Sequence, residues 1–151
     1  MIRERLADDL KTAVKARDSE RVAALRLILA AIKDRDIAAR TGEGSAGVPD
    51  AEIVVILAKM VKQRQDSAKV YEEAGRLDLA AQERSEIGII QGYMPKQMGA
   101  EEICDAVAEA IAETGAESIR DMGRVMAHLK QRHAGAMDFT QAGAAVKDAF
   151  R

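Results

Sequence analysis

Two histidines, one cysteine and a handful of paired acids are the side chains of this 151-residue sequence that could move a proton, hold a metal or attack a carbonyl. Their spacing denies each of them a partner. His128 and His133 are five apart, so on a helix they diverge by about 140°, whereas chelation from one helix uses an i, i+4 pair. Cys104 has no second cysteine, and on a predicted apolar helix it is expected to be a buried, inert thiol. Glu72–Glu73 and Glu101–Glu102 are adjacent in sequence, hence about 100° apart on a helix, and do not face one substrate as acid and base. Gly42, Gly44 and Gly47 precede neither Lys-Ser nor Lys-Thr, so no phosphate-cradling loop is present. None of Ser19, Ser45, Ser67, Ser85 and Ser118 stands in a nucleophile-elbow setting. Met60, Met122 and Met126 fall at core spacing. No catalytic residue, no metal site and no cofactor is expected.

Charge carries more information. The totals nearly cancel, 23 Lys plus Arg against 25 Asp plus Glu, but the distribution is uneven. Residues 99–117 hold six acids (Glu101, Glu102, Asp105, Glu109, Glu113, Glu117) and no base. Residues 118–133 hold Arg120, Arg124, Lys130 and Arg132 against Asp121 alone, and His128 and His133 add charge at mildly acid pH. Residues 11–40 carry eight bases to four acids, and Lys59, Lys62, Arg64 and Lys69 face only Asp66. A surplus on one helix can neutralise phosphates and release their counterions; the plainer alternative is a solvated helix face. Arg120 and Arg124 share a face at 3.6 residues per turn, with Lys130 near it. Four aromatic residues (Tyr71, Tyr93, Phe139, Phe150) are too few for stacking on unpaired bases, which leaves backbone and shape recognition.

The elements that would position these residues are helical throughout. The composition is rich in alanine (29 residues), holds two prolines and lacks tryptophan, and no run alternates like a strand. Ile2, Leu6, Leu10, Ala13 and Val14 make one stripe over Met1–Ala16. Asp18 and Ser19 offer a cap for a second helix reaching about Arg40. Its apolar face (Val22, Leu25, Leu29, Ile32, with Leu27 and Ile28 beside them) is wide enough to touch several neighbours. Thr41–Pro49 reads as a surface loop. A third helix from Pro49 and Asp50 carries Ile53, Ile56, Leu57, Met60 and Val61 inward and ends near Gly75. A fourth, Leu77–Tyr93, turns Ala80, Ala81, Ile87 and Ile90 inward. Tyr93–Gly99 contains Pro95 and marks the boundary. Beyond it, Gly99 with Glu102 opens a helix that Thr114–Gly115 ends. Ser118 and Asp121 have capping-box spacing for a second, which buries Met122, Val125, Met126 and Leu129. Thr140 is the expected cap of a third with Ala142, Val146 and Phe150. The predicted fold class is therefore all-α: an amino-terminal helical bundle over residues 1–94 and a small three-helix domain over residues 95–151. One cysteine forms no internal disulfide, no uncharged run approaches the roughly 18 residues of a membrane span, and the amino terminus lacks an apolar signal core. A cytosolic protein with no membrane partner is expected.

Several stretches resemble one family. Arg21-Val22-Ala23-Ala24-Leu25-Arg26-Leu27-Ile28-Leu29-Ala30-Ala31-Ile32-Lys33 is similar to the Arg-Leu-x-x-Leu-Arg-x-Leu-x-Ala-Ala-Ile-Lys of YqeY proteins. Those are stand-alone relatives of the tail region of GatB, a subunit of the glutamine-dependent tRNA amidotransferase. Ala74-Gly75-Arg76-Leu77-Asp78-Leu79-Ala80, Tyr93-Met94-Pro95-Lys96-Gln97-Met98 and Asp121-Met122-Gly123-Arg124-Val125-Met126 resemble three further motifs of that family, in order and across essentially the whole chain. The segment His133–Asp138 departs from the pattern in lacking its basic and second glycine residues. The resemblance implies an amino-terminal helical domain and a tail-like three-helix domain, the latter gripping the tRNA body while chemistry happens elsewhere. Family members are commonly catalogued under carbon–nitrogen ligase activity with glutamine as amide donor. The catalytic part of GatB has no counterpart in this chain, so that label reads as inherited from the shared domain.

Three functions compete on this basis. In the favoured one the tail domain is a tRNA-binding module, with Arg120 and Arg124 on phosphates, Lys130 and Arg132 extending the patch and Gly123 allowing close backbone approach. Helix–helix packing explains Gly123 equally well. Arg26, Lys33, Lys62 and Lys96 are weaker candidates. The second is an adaptor docking onto another helical protein, an aminoacyl-tRNA synthetase or an amidotransferase complex. A self-contained amidotransferase is the least physical.

Overall fold

The computed structural model describes residues 1–39 and 47–151, and those residues are helical with no strand among them. Most of the Thr41–Pro49 loop expectation thus lies outside the described residues. The chain divides into two compact units, Met1–Met94 and Pro95–Arg151. Among the described residues no helix is long and apolar enough to cross a membrane.

The amino-terminal unit contains α1 (Ile2–Lys15), α2 (Ser19–Ala38), α3 (Asp50–Glu73) and α4 (Leu77–Gln91). Its core is built from Leu6, Leu25, Ile28, Ile32, Ile53, Leu57 and Ile90, all fully buried. Each such side chain contributes about 1.5–3 kcal/mol on leaving water. Two joints turn on the left-handed backbone conformation. Gly75 adopts φ +75°; its N–H donates to the Glu72 carbonyl (3.0 Å) and that of Arg76 to Tyr71 (2.8 Å), which satisfies the end of α3. Arg17 adopts φ +56° without being glycine, and the N–H groups of Arg17 and Asp18 close α1 on Val14 and Ala13. Asp18 then caps α2 by accepting the Arg21 N–H at 3.2 Å.

Three polar clamps tie these helices together. The Arg3 guanidinium meets both carboxylate oxygens of Asp36 (2.6 and 2.7 Å) and donates to the Val48 carbonyl (3.0 Å), while the Val48 N–H returns to Asp36 at 2.8 Å. Arg64 on α3 pairs with Glu86 on α4 at 3.0 Å, largely shielded from water. The Tyr93 hydroxyl donates to Asp9, and Arg5 lies over the Tyr93 ring, 5.0 Å from its centre. Burial, seconded by the Asp9 bond, pushes the Tyr93 hydroxyl pKa up to about 12.

Three inward expectations fail here. Val14 and Leu27 are 48 % and 51 % exposed, and Ala81 is exposed. The reason is clearest at α2, which carries apolar residues on more than one side. The side carrying Ala24, Leu25, Ile28 and Ile32 is buried, and Leu27 lies on the other side.

The carboxyl-terminal unit contains α5 (Ala100–Thr114), a single 3-10 turn (Ile119–Asp121), α6 (Met122–Arg132) and α7 (Phe139–Ala149). Ile103, Val107, Val125, Leu129, Met137, Ala142 and Val146 form its core. Gln97 donates its side-chain amide to the Gly135 carbonyl (2.7 Å), and the Met98 N–H bonds to Ala136 (2.8 Å). The Tyr93–Met98 motif therefore holds two anchors, one for each unit, on either side of Pro95.

Three local expectations are corrected. Cys104 is exposed, because α5 turns Ile103, Ala106, Val107 and Ala110 inward and position 104 falls about 100° off that line. The cap of α7 is Asp138, whose carboxylate accepts the N–H groups of both Thr140 (2.9 Å) and Gln141 (3.2 Å); Thr140 lies inside the helix. Asp121 does reach back to the N–H groups of Glu117 (2.9 Å) and Ser118 (3.4 Å), but the Ser118 side chain makes no cap bond and the α-helix begins only at Met122.

Candidate nucleic-acid interface

α6 buries Val125 and Leu129 and turns its opposite side to solvent. At about 100° per residue the outward arc is bounded by Arg124 on one edge and by Gly123 and Lys130, seven apart, on the other, with Ala127 and Gln131 between. All five are exposed. Arg120 stands exposed on the 3-10 turn just before the helix, so it is placed by that turn and not by helical periodicity. Arg120 and Lys130 have no ion-pair partner among the described residues. Arg124 meets Asp121 at 3.1 Å while remaining 59 % exposed, a surface pair of the kind that contributes little and is easily exchanged. The Glu117 backbone N–H, with help from Ser118 and Arg124, holds the Asp121 carboxyl below its usual range.

Among the described residues, a Cβ built at Gly123 meets nothing within 4 Å. No helix among the described residues packs against Gly123, which goes against the helix-packing explanation of this glycine.

Arg132 is elsewhere. It lies about 160° from Lys130 around α6, turned to α5, where it reaches Glu113 at 2.9 Å and Glu109 at 3.5 Å. His128 joins the same cluster, its Nε2 2.8 Å from Glu113. Desolvation raises the Glu113 pKa, and the combined pull of Arg132 and His128 outweighs it, leaving the carboxyl below the usual range. The expected four-cation patch is thus divided: Arg120, Arg124 and Lys130 face solvent, and Arg132 pairs with Glu109 and Glu113 of the acidic helix. Ala127 and Gln131, which floor the arc, were missed; their i+3 and i+7 spacing from Arg124 was the available signal. Among the described residues no three His, Cys, Asp or Glu side chains are grouped so as to hold a metal.

Comparison with known proteins adds three relatives. The chain is 34 % identical over 89 residues to a Saccharomyces cerevisiae protein, 38 % over 86 residues to one from Clavispora lusitaniae and 33 % over 89 residues to one from Vanderwaltozyma polyspora. Each is named altered inheritance of mitochondria protein 41, mitochondrial. The matches cover 57–59 % of this chain and 46–47 % of those proteins, so the match spans about half the length of the curated relatives. The name gives a mitochondrial address to those proteins, where sequence alone suggested a cytosolic one for this chain. The family model described as Yqey-like protein matches residues 3–150. The chain belongs to the YqeY family.

Proposed function

We propose that this chain is a docking module for structured RNA, tRNA in the first instance, which takes the sugar–phosphate backbone on the outward arc of α6 and assigns no bond-making step to its own residues. The observation that carries this is the exposed Gly123 between exposed Arg120 and Arg124, with open space where its side chain would be. A backbone phosphate can approach the helix there more closely than beside any other residue type, with the exposed Arg120 and Arg124 guanidinium groups three residues before and one after it in the chain. Lys130 extends the contact by two turns. The small Ala127 keeps the floor low. Arg132, held by Glu109 and Glu113, acts as a positioning residue that offsets the acidic helix and lowers its repulsion of RNA.

Fluorescence anisotropy of the full chain with total tRNA between about 50 and 200 mM salt tests this. Affinity rises as salt falls. Arg120→Glu plus Arg124→Glu abolishes binding, and the corresponding double alanine variant lowers the salt slope by about two. Absence of binding at low salt, or binding indifferent to the double variant, would refute it. Glutaminase and amide-transfer assays of the purified chain are expected to stay at background.

A further inference from the structure

α2 is apolar on two opposite sides, and only one of them is covered. Ala24, Leu25, Ile28 and Ile32 enter the core. On the far side, Ala23, Leu27 and Ala30 follow one another at helical steps, Asp34 interrupts the row, and Ile37 resumes it; all are exposed, Leu27 by 51 % and Ile37 by 57 %. The stripe is about 21 Å long. At its amino end it runs into a hollow of about 380 Å³ between the end of α1 and the start of α2, lined by Val14, Arg17, Ser19, Val22, Ala23 and Arg26. A scattered surface leucine is ordinary; an apolar row, Ala23–Leu27–Ala30, that ends in an apolar-floored hollow marks a contact surface.

Charge selects the occupant. Arg17 and Arg26 edge the hollow, and Lys33 continues the same edge of the stripe two turns beyond Arg26. None of the three has an ion-pair partner among the described residues. A nucleic acid would leave the apolar stripe in contact with phosphates. A second copy is poorly served as well, because a two-fold pairing brings the same patch, with the same Arg17, Arg26 and Lys33, from each copy. We infer that the outer face of α2 is a docking groove for an amphipathic helix of a partner protein, with acidic residues along one flank facing Arg17, Arg26 and Lys33. Its apolar side lies on Ala23, Leu27, Ala30 and Ile37, and one large apolar residue enters the hollow, as in helix-in-groove recognition.

The probe is a fluorescein-labelled synthetic helix of about 21 residues with leucine along one face and glutamate on the flanks, compared with the same peptide carrying lysine in place of glutamate. The full chain binds the glutamate peptide saturably and the lysine peptide at least about tenfold more weakly. Leu27→Glu and Arg26→Glu each weaken binding by about tenfold or more, and circular dichroism of both variants stays as in the parent because both side chains are exposed. Amide resonances of Ala23, Leu27, Ala30 and Lys33 shift on titration. Arg120→Glu plus Arg124→Glu leaves peptide binding unchanged, which separates this surface from the RNA face. Four results would overturn the inference: no saturable binding, equal affinity for both peptides, indifference to Leu27→Glu, or shifts centred on another helix. A dimer in sedimentation dispersed by Leu27→Glu would put a second copy on the face instead. Leu27-dependent binding to phosphatidylglycerol vesicles without peptide binding would make it a lipid contact, and either result displaces the partner helix.

Discussion

The two units differ in where their paired charges lie: the first has shielded clamps beside its surface pairs, the second has surface pairs over an apolar core. In the amino-terminal unit, Arg3, Arg64 and the Asp9–Tyr93 pair reach across helices far apart in sequence and are half-buried or better, so these charges are part of the framework, while pairs such as Arg35–Glu52 and Arg76–Asp78 lie at the surface. In the carboxyl-terminal unit the core is apolar and its ion pairs lie at the surface, with Arg124 59 % and Arg132 50 % exposed. Charge that is desolvated and paired is costly to unpair and is lost to any ligand; charge left in water contributes little to stability and remains free to bind. A basic residue count by itself does not tell the two apart.

Substitutions that open a clamp in the first unit are expected to produce the largest effects. Asp36→Ala removes both bonds from Arg3 and the acceptor of the Val48 N–H together, costing about 2–3 kcal/mol. Glu86→Ala leaves Arg64 shielded and without its carboxylate, at about 2 kcal/mol. Both tyrosines, Tyr71 and Tyr93, lie in this unit, whereas Phe139 and Phe150 are the aromatics of the other. Urea unfolding read by tyrosine fluorescence therefore reports the amino-terminal unit alone, and circular dichroism reports both. The tyrosine midpoint falls in each variant. A fall in the tail's transition of equal size would break the distinction between the units.

The sequence disclosed the helices better than it disclosed what holds them together. Periodicity located the seven α-helices of the described residues, since each keeps at least one apolar stripe and Gly75, Pro95 and Gly115 interrupt the pattern where the chain turns. The clamps were invisible because their partners are 33, 22 and 84 residues apart, and nothing local marks Arg3 or Asp9 as different from any surface charge. Tyr93 was legible as a boundary and not as a lock. On α2 the breadth of the apolar face was plain, but a helix with leucine or isoleucine on more than one side does not say which side its neighbours cover. At the candidate interface, Arg120, Gly123, Arg124 and Lys130 could be named from charge and spacing. The withdrawal of Arg132 needed the geometry of α5 against α6, although six acids without a base in residues 99–117 were a sign that some cation would be claimed.

Tyr93→Phe is the intermediate case. It deletes one hydroxyl and leaves Asp9 with the nearby Arg5 charge but no hydrogen bond, for about 1 kcal/mol. Its pH signature is more diagnostic. The folded hydroxyl ionises at about 12, above its ordinary value of 10, so the fold favours the protonated form. That stabilisation is fully present below pH 10 and is lost as pH rises through the folded value. The parent's tyrosine-detected stability declines across this alkaline window, and the decline is smaller in Tyr93→Phe.

Arg132→Ala is expected to do least, and for that reason it tests the division most sharply. Its partners Glu109 and Glu113 are exposed, so water replaces the guanidinium at little cost and the urea midpoint stays within error of the parent. Glu113 has a depressed folded pKa, so its contribution is present above the ordinary carboxylate value and is lost as pH falls through the folded one. Without Arg132 that acid-side loss shrinks, while His128, still 2.8 Å away, preserves part of it. Binding of tRNA changes by about twofold or less, because Arg132 is turned from the arc and acts only by offsetting the acidic helix. Arg124→Ala, on the arc itself, weakens binding several-fold by the same anisotropy titration. If Arg132→Ala weakens tRNA binding as much as Arg124→Ala does, the surface pairs of the second unit open in the complex. The contact face would then extend around α6 toward α5, and the separation between supporting and presented charge would hold only for the free protein.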